Sequence, residues 1–202
     1  MLAANLKHLI VWPSKEVIAT NMPDCFKKFP NTRIILDCTE FFIEIPSSLV
    51  NQTLTYSSYK SHNTFKLLVG ISPTGVVTFL SKLWGSNASD KQIVKESGPL
   101  DLLEKGDNVM ADKGFLIQDL LDPLGVTLNM PLKRDSNRQL SRQEVEQTRR
   151  IAAVRIHVER KIEQIKNFRI LQGVIPATWH NANNIVLICA ALSNLEPPLV
   201  TF

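Results

Sequence analysis

One apolar run sets the architecture of this chain: Arg33-Ile34-Ile35-Leu36-Asp37-Cys38-Thr39-Glu40-Phe41-Phe42-Ile43-Glu44-Ile45. Both faces of the run are mostly apolar at the two-residue period of a strand. This pattern predicts a central strand at about 33–45 that is covered on both sides. Asp37 is the exception, because a carboxylate inside a buried strand is costly unless a cation or a metal compensates its charge. Asp37 is therefore a candidate functional residue; the alternative is an ion pair with a buried Lys or Arg.

Strands and helices follow one another in the rest of the sequence. The polar residues 46–62 predict a long connection. A hairpin is predicted from 64–71 and 76–84, which are joined by Ser72-Pro73-Thr74-Gly75. Further strands are predicted at 107–112 and 126–130, and helices at 90–97, 116–121, 141–168 and 182–195. This order predicts an α/β fold, a mixed sheet flanked by helices, whose first three strands are antiparallel.

The longest predicted helix starts at a capping box, Ser141-Arg142-Gln143-Glu144. Its apolar residues recur at helical spacing and must face the core. They are Ile151, Val154, Val158, Ile162 and Ile165.

Composition suits one soluble domain with a substantial core. The chain has 202 residues, of which 44% are hydrophobic and 21% charged. It has no apolar run long enough to span a membrane, so we expect no membrane association. The three cysteines are widely spaced, which predicts reduced thiols and no disulfide framework.

The positive charge is concentrated in one segment. Residues 133–169 carry eleven Lys or Arg and five Asp or Glu, a net charge of +6, within a chain of net charge +4. Such a segment holds phosphates near carboxylates that would otherwise repel them, as a nucleic-acid enzyme requires. The alternative is a solvated helix face with paired charges.

Two further acids join Asp37 as candidates. Asp112 ends a predicted strand, where side chains meet ligand in α/β folds, and Glu159 lies at the edge of the apolar helical stripe. Three such carboxylates can form a cage for divalent metal, which points to phosphoryl transfer on nucleic acid. By itself, Asp112 could be a turn residue before Gly114, and Glu159 could be a surface ion pair with Arg155.

The chain resembles the DDE-superfamily transposases of the PIF/Harbinger and IS5-like group, whose nuclease domain is ribonuclease H-like. Five segments carry the resemblance in the right order, and the resemblance runs from about residue 12 to residue 195, nearly the whole chain. They are Ile34 to Glu40, Tyr59 to Lys66, Gly85 to Asp90, Gly106 to Phe115 and Arg155 to Arg160.

The resemblance implies that Asp37, Asp112 and Glu159 form the catalytic triad and bind Mg2+ or Mn2+. Asp90 is a further candidate for the metal site, although a first-turn acid of a capped helix explains it adequately. Glu163 is the alternative to Glu159. The candidate DNA-binding residues are Lys60, His62, Lys66, Lys113, Lys133, Arg134, Arg155 and Arg160.

The front of the chain departs from that family. Members usually carry a DNA-binding segment before the nuclease, but only about thirty residues precede the first strand here, and they lack Cys/His zinc spacing. We expect residues 1–32 to be a helical remnant and 33–196 to be the nuclease domain. The chain is expected to be a fragment, a shortened gene product or a domesticated copy that needs a separate DNA-targeting protein.

Two main functions remain open at this stage. The first is a metal-dependent DNA endonuclease or transposase, a nuclear homo-oligomer that acts on DNA. The second is a domesticated, catalytically silent DNA- or protein-binding module. A phosphohydrolase for small substrates is disfavoured, because such a substrate needs two or three cations rather than a basic segment.

Overall fold

The structure, a computed structural model, describes residues 2–131, 141–176 and 178–200. Its helices are α1 (Leu2–Leu6), α2 (Lys15–Thr20), α3 (Leu49–Thr55), α4 (Asp90–Glu96), α5 (Gln118–Leu121), α6 (Arg142–Lys166) and α7 (Ala182–Ser193). Its strands are β1 (Thr32–Phe42), β2 (Tyr56–Ser57), β3 (His62–Ile71), β4 (Val77–Leu80), β5 (Trp84–Gly85), β6 (Asn108–Ala111) and β7 (Thr127–Asn129).

Strand β1 lies at the centre of a mixed sheet. It pairs antiparallel with β3, where Asp37 is opposite Val69, and parallel with β6, where Leu36 is opposite Ala111. Strand β7 extends the parallel side beyond β6, and β2, β4 and β5 all pair antiparallel with β3. With helices on both faces, this is the α/β, ribonuclease H-like architecture that the sequence predicts, and the hairpin of β3 and β4 is confirmed.

The two faces of β1 contact different layers of helices. One face carries Ile35 and Phe41, which are buried together with the apolar stripe of α6 and with Val186 and Cys189 of α7. The other face carries Ile34 and Leu36, which are buried together with Leu68 of β3, Ile93 of α4 and Leu121 of α5. Since side chains alternate along a strand, Asp37 projects towards the α6 layer.

Helix α6 forms as the sequence predicts. The Ser141 hydroxyl accepts a hydrogen bond from the Glu144 amide, and the Glu144 carboxylate accepts one from the Ser141 amide, which completes the capping box. All five predicted stripe residues are buried. Their burial against the sheet fixes the rotation of the helix, and with it the direction in which its polar edge points.

The connection at 46–62 differs from the prediction, because it contains α3 and β2. Its polar side chains hydrogen-bond to backbone and to one another: the Asn63 amide donates to the Gln52 carbonyl at 2.9 Å and to the Thr55 hydroxyl at 2.8 Å. Leu49 and Val50 of α3 are exposed, so the helix has no apolar stripe for sequence reasoning to find.

The strand predicted at 76–84 is divided into β4 and β5. The interruption falls at residues 81–83, where side chains supply the hydrogen bonds of the missing ladder. The Ser81 hydroxyl accepts from the Leu68 amide at 3.0 Å, and the Asn183 side chain accepts from the Leu83 amide at 2.7 Å.

Residues 2–31 pack against the core that the later elements build. The Asn194 side chain donates to the Leu9 carbonyl at 3.1 Å, Lys15 pairs with Asp107 at 3.2 Å, and the Arg33 guanidinium lies 5.2 Å from the Trp12 ring centre. The predicted domain boundary near residue 32 stays a prediction. No helix within the described ranges is long and apolar enough to cross a bilayer.

Candidate active site

Asp37 lies in the middle of β1, on the face that meets α6. One carboxylate oxygen, Oδ1, accepts a hydrogen bond from the Cys38 amide at 2.9 Å. The pKa of Asp37 is raised from 3.8 to about 6, mainly by burial and in smaller part by the negative charges of Asp112 and Glu159. The positive charge of Arg155 acts in the opposite direction. Asp37 is thus a largely desolvated acid that interacts electrostatically with two other acids and one arginine.

Asp112 follows the last residue of β6, beside β1. Because Leu36 is paired with Ala111, the next residue of each strand, Asp37 and Asp112, emerges at the same end of the parallel pair. The Asp112 carboxylate accepts from the Lys113 amide at 2.7 Å, and its carbonyl accepts from Phe115 at 2.9 Å. The residue therefore forms the predicted turn and also keeps a half-exposed carboxylate beside Asp37.

Glu159 is placed by α6. It follows the fully buried Val158, yet half of its side chain is exposed. Arg155, one turn earlier, contacts Glu159 Oε1 at 2.8 Å and Asp112 Oδ1 at 3.2 Å through the same atom, Nη2. The surface ion pair considered for Glu159 is present, and the same guanidinium also joins α6 to the end of β6.

The donor set suits a hard divalent cation, since all three acids offer carboxylate oxygens. Within the described ranges, however, no three His, Cys, Asp or Glu side chains are arranged so that they could hold a metal ion. The positive charge among these acids is supplied by Arg155. The guanidinium supplies positive charge where a bound metal ion would also supply it. The three acids match a divalent metal in the type of their donor atoms and in their negative charge.

Lys166 is a neighbour of the site that sequence reasoning missed. Its ammonium donates to the Glu40 carbonyl at 2.8 Å and lies 5.2 Å from the Phe41 ring centre. Burial lowers the pKa of Lys166, the positive charge of Lys60 lowers it further, and the charges of Glu40 and Asp37 raise it. Lys166 is seven residues after Glu159, two helical turns along one face, and that spacing was the available signal.

Asp90 lies on the opposite face of the sheet, in a separate ion pair. Its carboxylate contacts the Lys66 ammonium at 3.2 Å, and Lys66 also donates to the Ala88 carbonyl at 2.9 Å. Burial raises the pKa of the Cys38 thiol, and the charge of Asp90 contributes to that rise. The structure therefore brings Asp90 and Lys66 together near Cys38 and does not bring Asp90 to the α6 face.

The other candidate DNA-binding residues come from several elements. Lys60 is exposed, with its ammonium 4.7 Å from the Tyr59 ring centre, and the His62 ring lies 5.5 Å from that of Phe42. The exposed residues Lys113, Arg160 and Glu163 follow Asp112 or Glu159 in sequence. Lys133 and Arg134 lie outside the described residues.

Comparison with protein families shows the family of the chain. The sequence profile described as DDE superfamily endonuclease matches residues 36–194. The chain belongs to the DDE superfamily of endonucleases. The match includes the strand of Asp37, the turn of Asp112 and the helix of Glu159, and a nuclease domain implies DNA as its substrate. No curated protein and no solved structure matches the chain.

Proposed function

We propose that this chain is a divalent-metal-dependent DNA endonuclease of transposase type, of the PIF/Harbinger and IS5-like group. It would cleave phosphodiester bonds and pass a freed 3′-hydroxyl to target DNA. The observation that carries the proposal is the desolvated Asp37 at the centre of β1, with Asp112 and Glu159 close enough to raise its pKa. A buried acid with a raised pKa beside other charged groups is typical of catalytic centres.

Asp37, Asp112 and Glu159 are the residues that would hold Mg2+ or Mn2+. Such an ion, when bound, supplies a Lewis acid for the phosphate and lowers the pKa of a bound water. The chain itself provides the charge: Asp37, with a pKa of about 6, is mostly ionised above neutral pH. Its burial strengthens its interaction with any cation, because screening by water is weak there.

DNA would lie across the rim beside this site. Arg155 contacts Asp112 and Glu159, Lys113 and Arg160 directly follow these two acids in sequence, and Lys166 interacts with the charges of Asp37 and Lys60. Phosphate contacts by such side chains position the backbone without reading base sequence. Affinity should therefore fall steeply with salt, as it does when lysines and arginines replace counterions on DNA.

The proposal is tested by Mn2+-dependent nicking of supercoiled plasmid. The wild type should nick, whereas Asp37→Asn should not, because an amide cannot supply the anionic ligand. Asp119→Asn is the control, since Asp119 is an exposed acid that pairs with Lys91 away from the site. Equal nicking by the wild type and Asp37→Asn would refute the assigned site.

A second candidate is a domesticated module that binds DNA or protein without turnover. It is favoured by one observation, namely that Arg155 contacts both Asp112 and Glu159 and so compensates their charge. Such a module would bind DNA in a salt-sensitive manner, indifferent to Mg2+ and to Asp37→Asn. No nicking by folded wild-type protein would support it.

The cellular setting belongs to the same proposal. We propose that the chain acts in the nucleus, as a homo-oligomer and together with a separate DNA-targeting protein. We also propose that residues 33–196 are the nuclease domain and that 1–32 are an appended helical segment. Cell fractionation tests the location, light scattering tests the oligomeric state, and truncation at residue 33 tests the domain boundary.

A further inference from the structure

The positively charged Arg155 guanidinium lies between the carboxylates of Asp112 and Glu159. Its Nη2 atom lies 2.8 Å from Glu159 Oε1 and 3.2 Å from Asp112 Oδ1, and only 12% of the side chain is exposed. It therefore joins two acids that come from different elements, α6 and the end of β6.

The pairing leaves much of the guanidinium unused. Arginine offers five donors in a planar fork that usually engages a carboxylate through two parallel bonds. Here a single nitrogen serves both acids, while Nε is buried and has no hydrogen-bond partner. An unpartnered buried donor is costly, so this arrangement can be exchanged for one that satisfies the fork better.

A divalent cation would compete with the guanidinium for these carboxylates. Asp112 Oδ1 already accepts from the Lys113 amide at 2.7 Å as well as contacting Nη2 at 3.2 Å, so a cation bound to that oxygen would take the place of the longer contact. Both acid side chains are about half exposed, at 50% and 47%, so an ion can approach them from solvent. A cation that compensates the two charges also removes the attraction that holds Arg155.

We propose that Arg155 is a tethered cation that holds Asp112 and Glu159 together in the metal-free protein, and that divalent-metal binding displaces it. The freed guanidinium remains at the same site and is then available to a DNA phosphate, whose geometry suits its fork. Arg155 is thus a positioning residue that couples metal binding to substrate binding. This inference rests on the proposed metal-dependent function.

The test measures cation binding in the absence of DNA. The variants are Arg155→Gln and, as a matched control, Arg150→Gln, which removes an exposed arginine paired with Glu146 four residues away on the same helix. Mn2+ affinity is measured by electron paramagnetic resonance or calorimetry. We expect Arg155→Gln to bind Mn2+ about tenfold more tightly than the wild type, within the 5–150-fold range that is common for coupled sites. Arg150→Gln should match the wild type.

A second measurement on the wild type covers the case in which Arg155→Gln fails to fold. In protein with isotope-labelled arginine, titration with Mg2+ should shift the Nε–Hε resonance of Arg155 and leave that of Arg150 in place. An unshifted Arg155 resonance in protein that binds Mg2+ would overturn the inference, as would equal or weaker Mn2+ binding by folded Arg155→Gln. If the wild type also nicked DNA, the proposed function would survive. No cation binding by the wild type or by either variant would overturn both proposals.

Discussion

Replacement of Asp37 by Asn should make the protein more stable while it abolishes cleavage. The folded protein holds the pKa of Asp37 at about 6, against an ordinary value of 3.8, mainly through burial. A raised folded-state pKa means that the protonated acid suits the fold and the ionised acid opposes it. The part of the stability that depends on Asp37 is therefore fully present below the pKa of the unfolded state, 3.8. It is lost as pH rises through the pKa of the folded state, about 6.

The size of the effect follows from that difference. A pKa difference of about two units between the folded and unfolded states corresponds to about 3 kcal/mol of destabilisation above pH 7. At pH 5 the destabilisation is about half as large. Asn is a neutral side chain of nearly the same shape, so Asp37→Asn should recover most of that free energy. For a chain of this length the melting temperature should rise by roughly 5–10 °C at pH 8.

Urea unfolding at pH 5 and pH 8, without divalent metal, measures this prediction. The stability gain of Asp37→Asn should be about 1.5 kcal/mol larger at pH 8 than at pH 5. Asp119→Asn should lose stability instead, because the pairing of Asp119 with Lys91 lowers its pKa. A variant that is no more stable than the wild type at pH 8, or whose gain does not change with pH, would refute the argument.

Three further outcomes are expected. Lys166→Gln should lower DNA affinity and reduce the slope of log K against log salt by about 1. The control Lys95→Gln, on α4 behind the sheet, should change neither. Equal slopes for Lys166→Gln and the wild type in equilibrium titrations would contradict the assignment. Gly85→Ala should cost about 1–3 kcal/mol in urea unfolding, because its Cβ would collide with the Leu54 carbonyl. Gly114→Ala, which has open space around it, should be tolerated, and equal losses in both would count against this packing. Ser141→Ala should cost about 1 kcal/mol by removing the capping box of α6, and an unchanged urea midpoint would contradict that role.

The main elements could be predicted because burial leaves a periodic signal. The central strand, the hairpin and α6 each show their core faces in the sequence, and all are present with ends shifted by a few residues. Asp37 could be recognised for the same reason, because it is a charged residue in a strand whose other residues on the same face are mostly apolar. The helix α3 could not be found, because its leucine and valine side chains face solvent.

The contacts within the site were less accessible to sequence reasoning. Which face of the sheet a residue occupies depends on pairing register, and register places Lys66, the partner of Asp90, on the face opposite to Asp37. The contact of Arg155 with both Asp112 and Glu159 joins residues that are over forty positions apart. Lys166 was overlooked because it was one lysine among eleven basic residues in its segment.

The unbroken course of α6 sets a limit on how this chain can change in length. One residue inserted between Val154 and Glu159 would rotate everything after it by about 100°. Either the later stripe or Glu159 would then point away from the sheet. Seven inserted residues would nearly restore the phase but would carry Glu159 about 10 Å along the axis, out of reach of Asp112. Homologous chains should therefore differ in length before Ser141 and keep a constant number of residues from Ile151 to Lys166.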